Sequence, residues 1–456
     1  MGKIRFDKFE IDFEEREVRK SGIRLHLQRQ PFRILELLLE KRGSLVTREE
    51  LAQHLWPGLH VCFDRSLNTA MNALRQILGD SVRKPRFIET RAGLGYRFIA
   101  PVEVIGPAAG AVASAEESPA RSGREHLKKY AANFDAYQDY LKGRYFLSRM
   151  HADSVLKAIA HFEAAIAQDA NCAPAYAGLA DSYCDLALLG RAGQYSADAK
   201  RLADAAYRLD PGVTEVRLAR GRSAMLFDCD WNTAQTEFIA AIEQCPDHAD
   251  AHRLLGTLLS ALAHHDAALR SSNRARVLDP LSLPVAADLA RTLYMARDFE
   301  GAAEQCWKTL AMDATFAPAQ YILGLAYQQL AMHEEAITEL TNADNCFGHH
   351  EAAIGSLGHA YAMAGMPRQA LESLHELEQL AGRKPVSPYW ASLIYAGLGN
   401  RTSSLAGIER AHESRDPALL WIRVDPRLDP LRGETRFQRI IDEIGYPASA
   451  QVSAFA

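Results

Sequence analysis

Residues 64–78 carry polar side chains at a spacing that suits contact with DNA bases. At 3.6 residues per helical turn, one side is apolar and consists of Leu67, Met71, Leu74 and Leu78. The opposite side has no carboxylate or large apolar group and consists of Arg65, Asn68, Thr69, Asn72 and Gln76. Amide, hydroxyl and guanidinium groups can hydrogen bond to base edges and phosphates in a major groove. The segment predicts an amphipathic helix with one face for the core and one for a polyanion.

The flanking elements would position this helix. Thr47, with Glu50 three residues later, is typical of a capping box that begins a helix, and Pro57 helps to end it. After residue 78, Phe87–Glu89 and Tyr96–Phe98 are short strand-like runs around a glycine-containing turn. The order predicts a helix followed by a basic hairpin.

Residues 3–102 resemble the OmpR/PhoB-type winged-helix DNA-binding domain of bacterial transcription regulators. The matching segments follow one another along the chain: Ile4–Leu27, Phe32–Glu40, Thr47–Leu51, Trp56-Pro57, Arg65–Arg75 and Gly95–Phe98. The resemblance implies an α+β winged helix-turn-helix domain. Residues 64–78 would be its recognition helix and residues 88–98 its wing.

The resemblance also implies double-stranded DNA as the partner. Asn68, Thr69, Asn72 and Arg65 would meet base edges, whereas Arg75, Arg86 and Arg97 would contact phosphates or form structural ion pairs. Gln76 and Thr90 complete the predicted interface. The family wing reads roughly Thr-Val-Arg-Gly-x-Gly-Tyr-Arg. This chain departs from it, because Ala92 stands at the arginine position and Arg91, one residue earlier, is the candidate for the minor-groove role.

Charge is distributed unevenly along the chain. Its net charge is −5, but residues 1–104 carry +5 and the remainder carries −10. Residues 64–98 hold seven basic and three acidic side chains. A mildly basic surface is often merely solvated, so the charge supports a nucleic-acid partner only together with the family resemblance.

A 34-residue period follows the N-terminal region. A leucine before a small residue recurs at this interval, at Leu255-Gly256, Leu289-Ala290, Leu323-Gly324 and Leu357-Gly358. Alanines keep the same step at Ala268, Ala302, Ala336 and Ala370. This pattern is typical of the tetratricopeptide repeat (TPR), in which small residues let two helices approach closely.

The predicted fold class is therefore mainly α, with an N-terminal α+β winged helix-turn-helix domain followed by an all-α TPR solenoid. Less regular copies of the pattern extend the solenoid to about eight repeats over residues 136–417. Residues 418–447 are predicted to cap it, with a helix in Leu431–Ile444. Residues 106–124, rich in Ala, Gly, Ser and Pro, predict a flexible linker.

The first helices of TPR hairpins line a concave face. By register, the inward candidates are Arg253, Arg291, Tyr294, Tyr321, Gln328, His359 and Tyr389. Aromatic and arginine side chains suit a protein or peptide partner, although such residues also simply solvate a groove. A small metabolite is a further alternative that the pattern leaves open.

Other classes of function have little support in the sequence. No phosphate-binding loop, G-x-S-x-G elbow or H-E-x-x-H motif is present, so we expect neither an enzyme nor a cofactor. Seven cysteines are scattered without a C-x-x-C pair, and we expect no metal site. No run of 18 uncharged apolar residues or secretory signal is evident, so we expect a cytoplasmic protein without a membrane partner.

Two hypotheses follow from these patterns. In the first, the chain is a transcriptional regulator that binds promoter DNA through residues 3–102, while the repeats dock a partner or mediate self-association. In the second, it is a TPR scaffold or adaptor whose N-terminal domain binds protein and not DNA. Binding of DNA that weakens with salt discriminates between them.

Overall fold

The computed structural model of the chain divides into two compact units, Met1–Glu116 and Glu117–Ala456. The structure describes residues 3–12, 17–20, 23–25, 29–47, 50–51, 71, 74–75, 77–80, 85–91, 95–100, 102–105, 133–149, 152–188 and 192–447. The predicted linker 106–124 lies outside these residues. Each unit is described by itself below.

The N-terminal unit contains two antiparallel sheets within its described residues. Its strands are β1 Lys3–Phe6, β2 Phe9–Asp12, β3 Glu17–Lys20, β4 Ile23–Leu25, β5 Val46–Thr47, β6 Ile88–Arg91, β7 Gly95–Phe98 and β8 Glu103–Ile105. The first sheet has the order β4-β3-β2-β1-β8, so the strand after the wing returns to pair with the first strand. The second sheet has the order β5-β7-β6.

Alternation of apolar and polar residues determines which face of these strands is buried. Ile4 and Phe6 on β1 lie opposite Ile11 and Phe9 on β2, and all four side chains are buried. Helix α1, Arg29–Glu40, packs into the same core through apolar residues that include Leu35 and Leu38. The two sheets and α1 therefore form one small core.

The second unit is an array of helical hairpins. Within its described residues, eight pairs follow one another: α2 Phe134–Leu147 with α3 Ala152–Gln168, α4 Ala173–Leu186 with α5 Ala192–Leu209, α6 Thr214–Ser223 with α7 Trp231–Gln244, α8 Ala249–Ala261 with α9 His265–Leu278, α10 Leu283–Met295 with α11 Phe299–Met312, α12 Ala317–Gln329 with α13 His333–Phe347, α14 Glu351–Met363 with α15 Pro367–Ala381, and α16 Pro388–Gly397 with α17 Arg401–Glu413. A π-helical turn, Ala224–Asp228, continues α6. The first helix of each pair contacts the first helix of the next pair.

Close helix packing explains the small residues of the 34-residue period. A Cβ added to Gly256 would lie 2.4 Å from Ser272 Oγ, and one added to Gly324 would lie 2.7 Å from Leu340 Cγ. Ala268 and Ala336, on the second helices of the same hairpins, are fully buried. Larger side chains at these positions would separate the two helices of a hairpin.

Three short elements end the described chain. Two 3₁₀ turns, Pro417–Trp421 and Pro426–Leu431, each begin after an aspartate whose side chain accepts a hydrogen bond from a backbone N–H of the turn. Helix α18, Thr435–Ile444, then buries Phe437, Ile440 and Ile444. The predicted C-terminal helix is thus present, although it begins at residue 435.

The predicted fold class is confirmed: a small α+β unit with two sheets precedes a long array of helical hairpins. Among the described residues, no helix is long and apolar enough to cross a membrane.

Candidate nucleic-acid interface and concave cavity

The predicted capping box at Thr47 and Glu50 is confirmed. Thr47 Oγ1 accepts a hydrogen bond from the Glu50 backbone N–H at 3.1 Å, and Glu50 Oε2 accepts one from the Thr47 N–H at 2.9 Å. Lys41 Nζ lies 2.9 Å from Glu50 Oε1. The hydrogen bonds from Lys41 and then Thr47 hold the pKa of Glu50 below its ordinary value.

Only part of the predicted recognition helix is described. Met71, Leu74 and Leu78 are helical and buried, in agreement with the apolar face assigned to them. The polar face lies outside the described residues, and its predicted DNA contacts remain predictions for Arg65, Asn68, Thr69, Asn72 and Gln76.

Arg75, for which the sequence left a phosphate contact or a structural ion pair open, lies inside the N-terminal unit. Its side chain is buried, and Nη2 donates to the Ile88 carbonyl oxygen at 2.9 Å and to Thr90 Oγ1 at 2.6 Å. The guanidinium carbon lies 5.8 Å from the centre of the Tyr96 ring. Burial lowers the pKa of Arg75. Because both groups are engaged with each other, Arg75 and Thr90 join the helix to the wing, which favours the structural alternative for Arg75.

The wing is an antiparallel hairpin with two arginines on one face. Glu89 lies opposite Arg97 in the register of β6 and β7, and Arg91 follows two residues later on the same face. Arg91 Nη2 lies 3.1 Å from Glu89 Oε1, and Arg97 Nη1 lies 3.7 Å from Glu89 Oε2. The Arg91 side chain is 53% exposed. One carboxylate cannot neutralise two arginines, so this face keeps a positive charge.

Arg86, just before β6, is also accessible. Its side chain is 64% exposed, with Nη2 at 3.1 Å from Asp7 Oδ2 and its guanidinium over the Phe87 ring. Such an exposed ion pair contributes little to stability and can be exchanged for a phosphate. Both alternatives from the sequence therefore stay open for Arg86.

The C-terminal part of the chain contacts first helices of the array, α14 and α16. We call residues 416–431 the crossing segment. Its Asp425 and Arg427 form a buried ion pair, with Arg427 Nη2 at 2.6 Å from Asp425 Oδ2. Arg427 Nη1 donates to Ser356 Oγ at 2.8 Å, and the Tyr389 hydroxyl donates to Asp425 Oδ2 at 3.0 Å. The crossing segment is thereby bonded to α14 and α16.

Further contacts tie the same end of the chain to earlier hairpins. Arg297 makes two hydrogen bonds to the Asp429 carboxylate, at 2.7 and 2.8 Å. The rings of Trp231 and Tyr446 are stacked with their centres 5.1 Å apart. The residues after α17 therefore reach from the eighth hairpin back to the third, which a cap on the last repeat alone would not do.

Five of the seven predicted groove residues are buried, and three of these, Tyr294, Gln328 and His359, do not line the cavity of the array. Tyr294 is fully buried, and Gln328 Nε2 lies 2.6 Å from His359 Nδ1 in a buried pair. Burial, followed by the charge of Arg427, lowers the pKa of His359 to about 3. The sequence prediction therefore needs correction at Tyr294, Gln328 and His359, because the array and the crossing segment enclose them.

The other four predicted groove residues line a cavity of about 540 Å³. They are Arg253, Arg291, Tyr321 and Tyr389. Lining residues that the sequence analysis missed include Arg222, Asp288, Glu351, Trp390, Asp416 and Trp421. Aspartate before proline, at Asp416-Pro417 and Asp425-Pro426, indicated turns after the last repeat, but no local signal indicated that these turns would cross the array.

Glu351 is a buried carboxyl group that lines the cavity. Its side chain is 2% exposed; Oε1 accepts from the Ser387 N–H at 3.2 Å, and Oε2 lies 3.6 Å from Lys384 Nζ. Burial raises the pKa of Glu351 to about 7, against the lowering effects of Ser387 and Lys384, and the charge of Asp416 acts in the same direction as burial.

Replacing Glu351 by glutamine should remove a pH-dependent loss of stability. The folded protein keeps the Glu351 proton up to about pH 7, whereas the unfolded chain loses it near 4.5, so stability falls as the pH rises through this window. Over this pH window, deprotonation of Glu351 should lower the free energy of unfolding of the wild-type protein by roughly 2–4 kcal/mol. Urea unfolding of the helical array, followed by circular dichroism between about pH 5 and pH 8, measures the slope.

The matched control is Glu372→Gln, since Glu372 is 63% exposed on α15 and pairs only with Arg368 there among the described residues. This variant should keep the wild-type slope. An unchanged slope in Glu351→Gln would contradict the assignment of the proton to Glu351.

Comparison with known proteins identifies the N-terminal unit. A family model described as "Transcriptional regulatory protein, C terminal" matches residues 22–98. The chain is 34% identical over 95 residues to the transcriptional regulatory protein KdpE of Mycobacterium tuberculosis, a match that covers 21% of this chain and 42% of KdpE. It is 34% identical over 107 residues to the transcriptional regulator HilA of Salmonella typhimurium, covering 24% of this chain and 19% of HilA. The chain thus spans less than half the length of either relative.

Among solved structures, the APC/C hetero-tetramer Cut9–Hcn1 superposes on 71% of this chain and 58% of its own, with a TM-score of 0.48 and 14% identity. The TPR type of the array itself rests on the 34-residue period and the successive hairpins. Residues 22–98 are therefore an OmpR/PhoB-type transcriptional-regulator domain, joined in one chain to a TPR-type helical array.

Proposed function

We propose that this protein is a transcriptional regulator whose N-terminal unit binds promoter DNA sequence-specifically and whose helical array receives the controlling input. The observation that carries the proposal is the regulator domain at residues 22–98, with Arg91 exposed on its wing. Phosphate contacts would supply most of the affinity, and the polar face of helix 64–78 would supply the sequence preference.

The contact between helix and wing supports this proposal. Arg75 bonds to both Ile88 and Thr90, so it fixes the wing strand relative to the predicted recognition helix. A protein that contacts both grooves needs its recognition helix and wing in a fixed relative position, because the phosphate contacts of the two elements must fit the same site on the DNA.

Fluorescence anisotropy of the full chain with host promoter fragments at several salt concentrations tests the proposal. Selective binding that weakens steeply with salt is expected for a sequence-specific regulator. Absence of DNA binding, or equal affinity for every fragment, would overturn it and favour an adaptor with a protein-binding N-terminal unit.

Two substitutions should separate specificity from affinity. Asn72→Ala should relax the preference at about one base position, since an asparagine amide reads adenine through two hydrogen bonds. Arg86→Ala should weaken all sequences alike and reduce the salt slope by about one, as loss of a phosphate contact would. Anisotropy against a binding site and its single-base variants gives both results.

Arg368→Ala is the matched control for charge, because Arg368 is 90% exposed on α15 of the helical array. It should leave DNA affinity and salt slope unchanged. If Asn72→Ala keeps the wild-type base preference, the face assigned to the recognition helix is wrong. If Arg86→Ala keeps the wild-type slope, its contact with Asp7 is its only role.

A further inference from the structure

The cavity wall contains three arginine–carboxylate pairs that satisfy each other. Arg222 is hydrogen bonded to Asp185. Arg253 Nη1 lies 2.7 Å from Asp288 Oδ2, and Arg427 Nη2 lies 2.6 Å from Asp425 Oδ2. The first two pairs join neighbouring first helices of the array, and the third lies within the crossing segment. They explain six of the charged side chains of the cavity without a ligand.

Two arginines and two carboxyl groups remain. Arg291 Nε is 3.9 Å from Asp288 Oδ1, beyond hydrogen-bond distance, and Arg410 forms no ion pair within the described part of the chain. Glu351 Oε2, in a side chain that is 98% buried, has no hydrogen-bond donor among the described residues. Asp416 also lines the cavity, and its Oδ1 accepts a hydrogen bond from the Ala418 N–H at 2.9 Å. As far as the structure describes the chain, the cavity thus offers two arginines without a carboxylate at hydrogen-bond distance and, at Glu351 Oε2, a buried carboxyl oxygen that has no hydrogen bond and lies 3.6 Å from Lys384 Nζ.

Large apolar groups form the rest of the wall. Trp390 and Trp421 both line the cavity, together with Phe347 and Leu325. The Arg291 guanidinium lies 5.9 Å from the centre of the Trp421 ring. An aromatic wall with a few convergent charged groups is typical of small-molecule sites, and about 540 Å³ falls within their usual volume.

We propose that this cavity binds a small zwitterion of the amino-acid class with an apolar side chain. Its ammonium group would meet Glu351 and Asp416, its carboxylate would meet Arg291 with Arg410 nearby, and its side chain would pack on Trp390 and Trp421. An anion alone would leave Glu351 Oε2 without a hydrogen-bond donor, and an amine alone would leave Arg291 and Arg410 without a carboxylate at hydrogen-bond distance. The role of this site as the input of the regulator rests on the proposed function. The binding of the zwitterion itself does not.

The crossing segment favours a small molecule over a long peptide. It already fills part of the concave face, with the Asp425–Arg427 pair bonded to Ser356 and Tyr389. An extended peptide would have to displace these buried bonds, whereas a small zwitterion fits beside them. Because the segment also contributes Asp416 and Trp421 to the wall, an occupied cavity would hold it more tightly against the array.

Isothermal titration calorimetry of the full chain without DNA tests the proposal directly. The probes are the apolar amino acids L-leucine, L-methionine and L-phenylalanine, with phenethylamine and 3-phenylpropionate as analogues of phenylalanine that lack one charge. We expect at least one of the amino acids to bind. The analogues that lack the carboxylate or the ammonium group should bind at least about tenfold more weakly. Equal binding of a single-charge analogue would overturn the proposal, as would no binding of any amino acid.

Variants place the ligand in the cavity. Glu351→Gln and Arg291→Gln should each lower the affinity about tenfold, and Arg291→Lys should restore part of the loss. The matched controls Glu372→Gln and Arg368→Gln lie on exposed parts of α15 and should bind as wild type. Circular dichroism is used to check that each variant is folded. Wild-type affinity in both cavity variants would exclude this site.

The two proposals fail separately. Amino-acid binding without DNA binding would support the cavity and overturn the regulator. DNA binding without amino-acid binding would support the regulator and overturn the cavity proposal.

Discussion

Gly95→Ala should abolish DNA binding and unfold the sheet that carries the wing. A Cβ at this position would lie 2.1 Å from the Val46 carbonyl oxygen and 2.8 Å from Thr47 Cα, both backbone atoms of β5. Since β5 and β7 pair here, with Thr47 opposite Gly95, the new methyl group can be accommodated only if the strands separate. We expect a loss of about 3 kcal/mol or more from the N-terminal unit.

The damage should also reach the next helix, because Thr47 forms the capping box with Glu50. Thermal unfolding and anisotropy with DNA measure both effects, and the melting of the helical array should stay unchanged. Gly79→Ala is the control in the same unit: no atom lies within 4 Å of its added Cβ, and its positive φ predicts a cost of only about 1–2 kcal/mol. A Gly95→Ala protein with wild-type DNA affinity would refute the strand pairing described here.

Arg427→Met should destabilise the helical array by about 3–5 kcal/mol, since it leaves Asp425 charged and buried without its partner. The side chains of Arg427 and Asp425 are 4% and 0% exposed. Burial alone would raise the pKa of Asp425, but the charge and hydrogen bonds of Arg427 bring it below its ordinary value. Urea unfolding followed by circular dichroism measures the loss.

The crossing segment should become susceptible to proteolysis in the same variant, because Arg427 also holds Ser356. Adding Asp425→Asn should recover part of the stability by removing the uncompensated charge. Arg401→Gln is the control: this arginine is 61% exposed, lies 3.0 Å from Glu434, and should contribute less than about 1 kcal/mol. Equal losses in Arg427→Met and Arg401→Gln would show that the crossing segment is not bound as described.

Periodicity was a sound guide where one face of an element meets the core. The apolar face of residues 64–78 placed Met71, Leu74 and Leu78 correctly in the interior. The capping box at Thr47 and the 34-residue step of small residues are local signals of the same kind, and both correspond to observed contacts. The polar face of the recognition helix follows from the same reasoning, and its DNA contacts remain a prediction.

The position of Arg75 could not be predicted from helical periodicity. A helical wheel cannot distinguish an arginine that faces DNA from one that turns toward a strand 13 residues later to bond the Ile88 carbonyl. Likewise, the repeat predicted Tyr294 and His359 as groove residues, but both are buried, and the charges of Asp425 and Arg427, which lie in another element, act on both.

By itself, the sequence determined the two-part architecture, the hairpin repeat and the apolar faces, because each depends on residues within one or two helical turns or one repeat. Only the tertiary structure decided the path of the crossing segment and the charges of the cavity. Arg427 meets Ser356 across 71 residues of sequence, and Arg297 meets Asp429 across 132. Such contacts form because successive hairpins pack against one another, and no local pattern encodes which distant side chains that packing brings together.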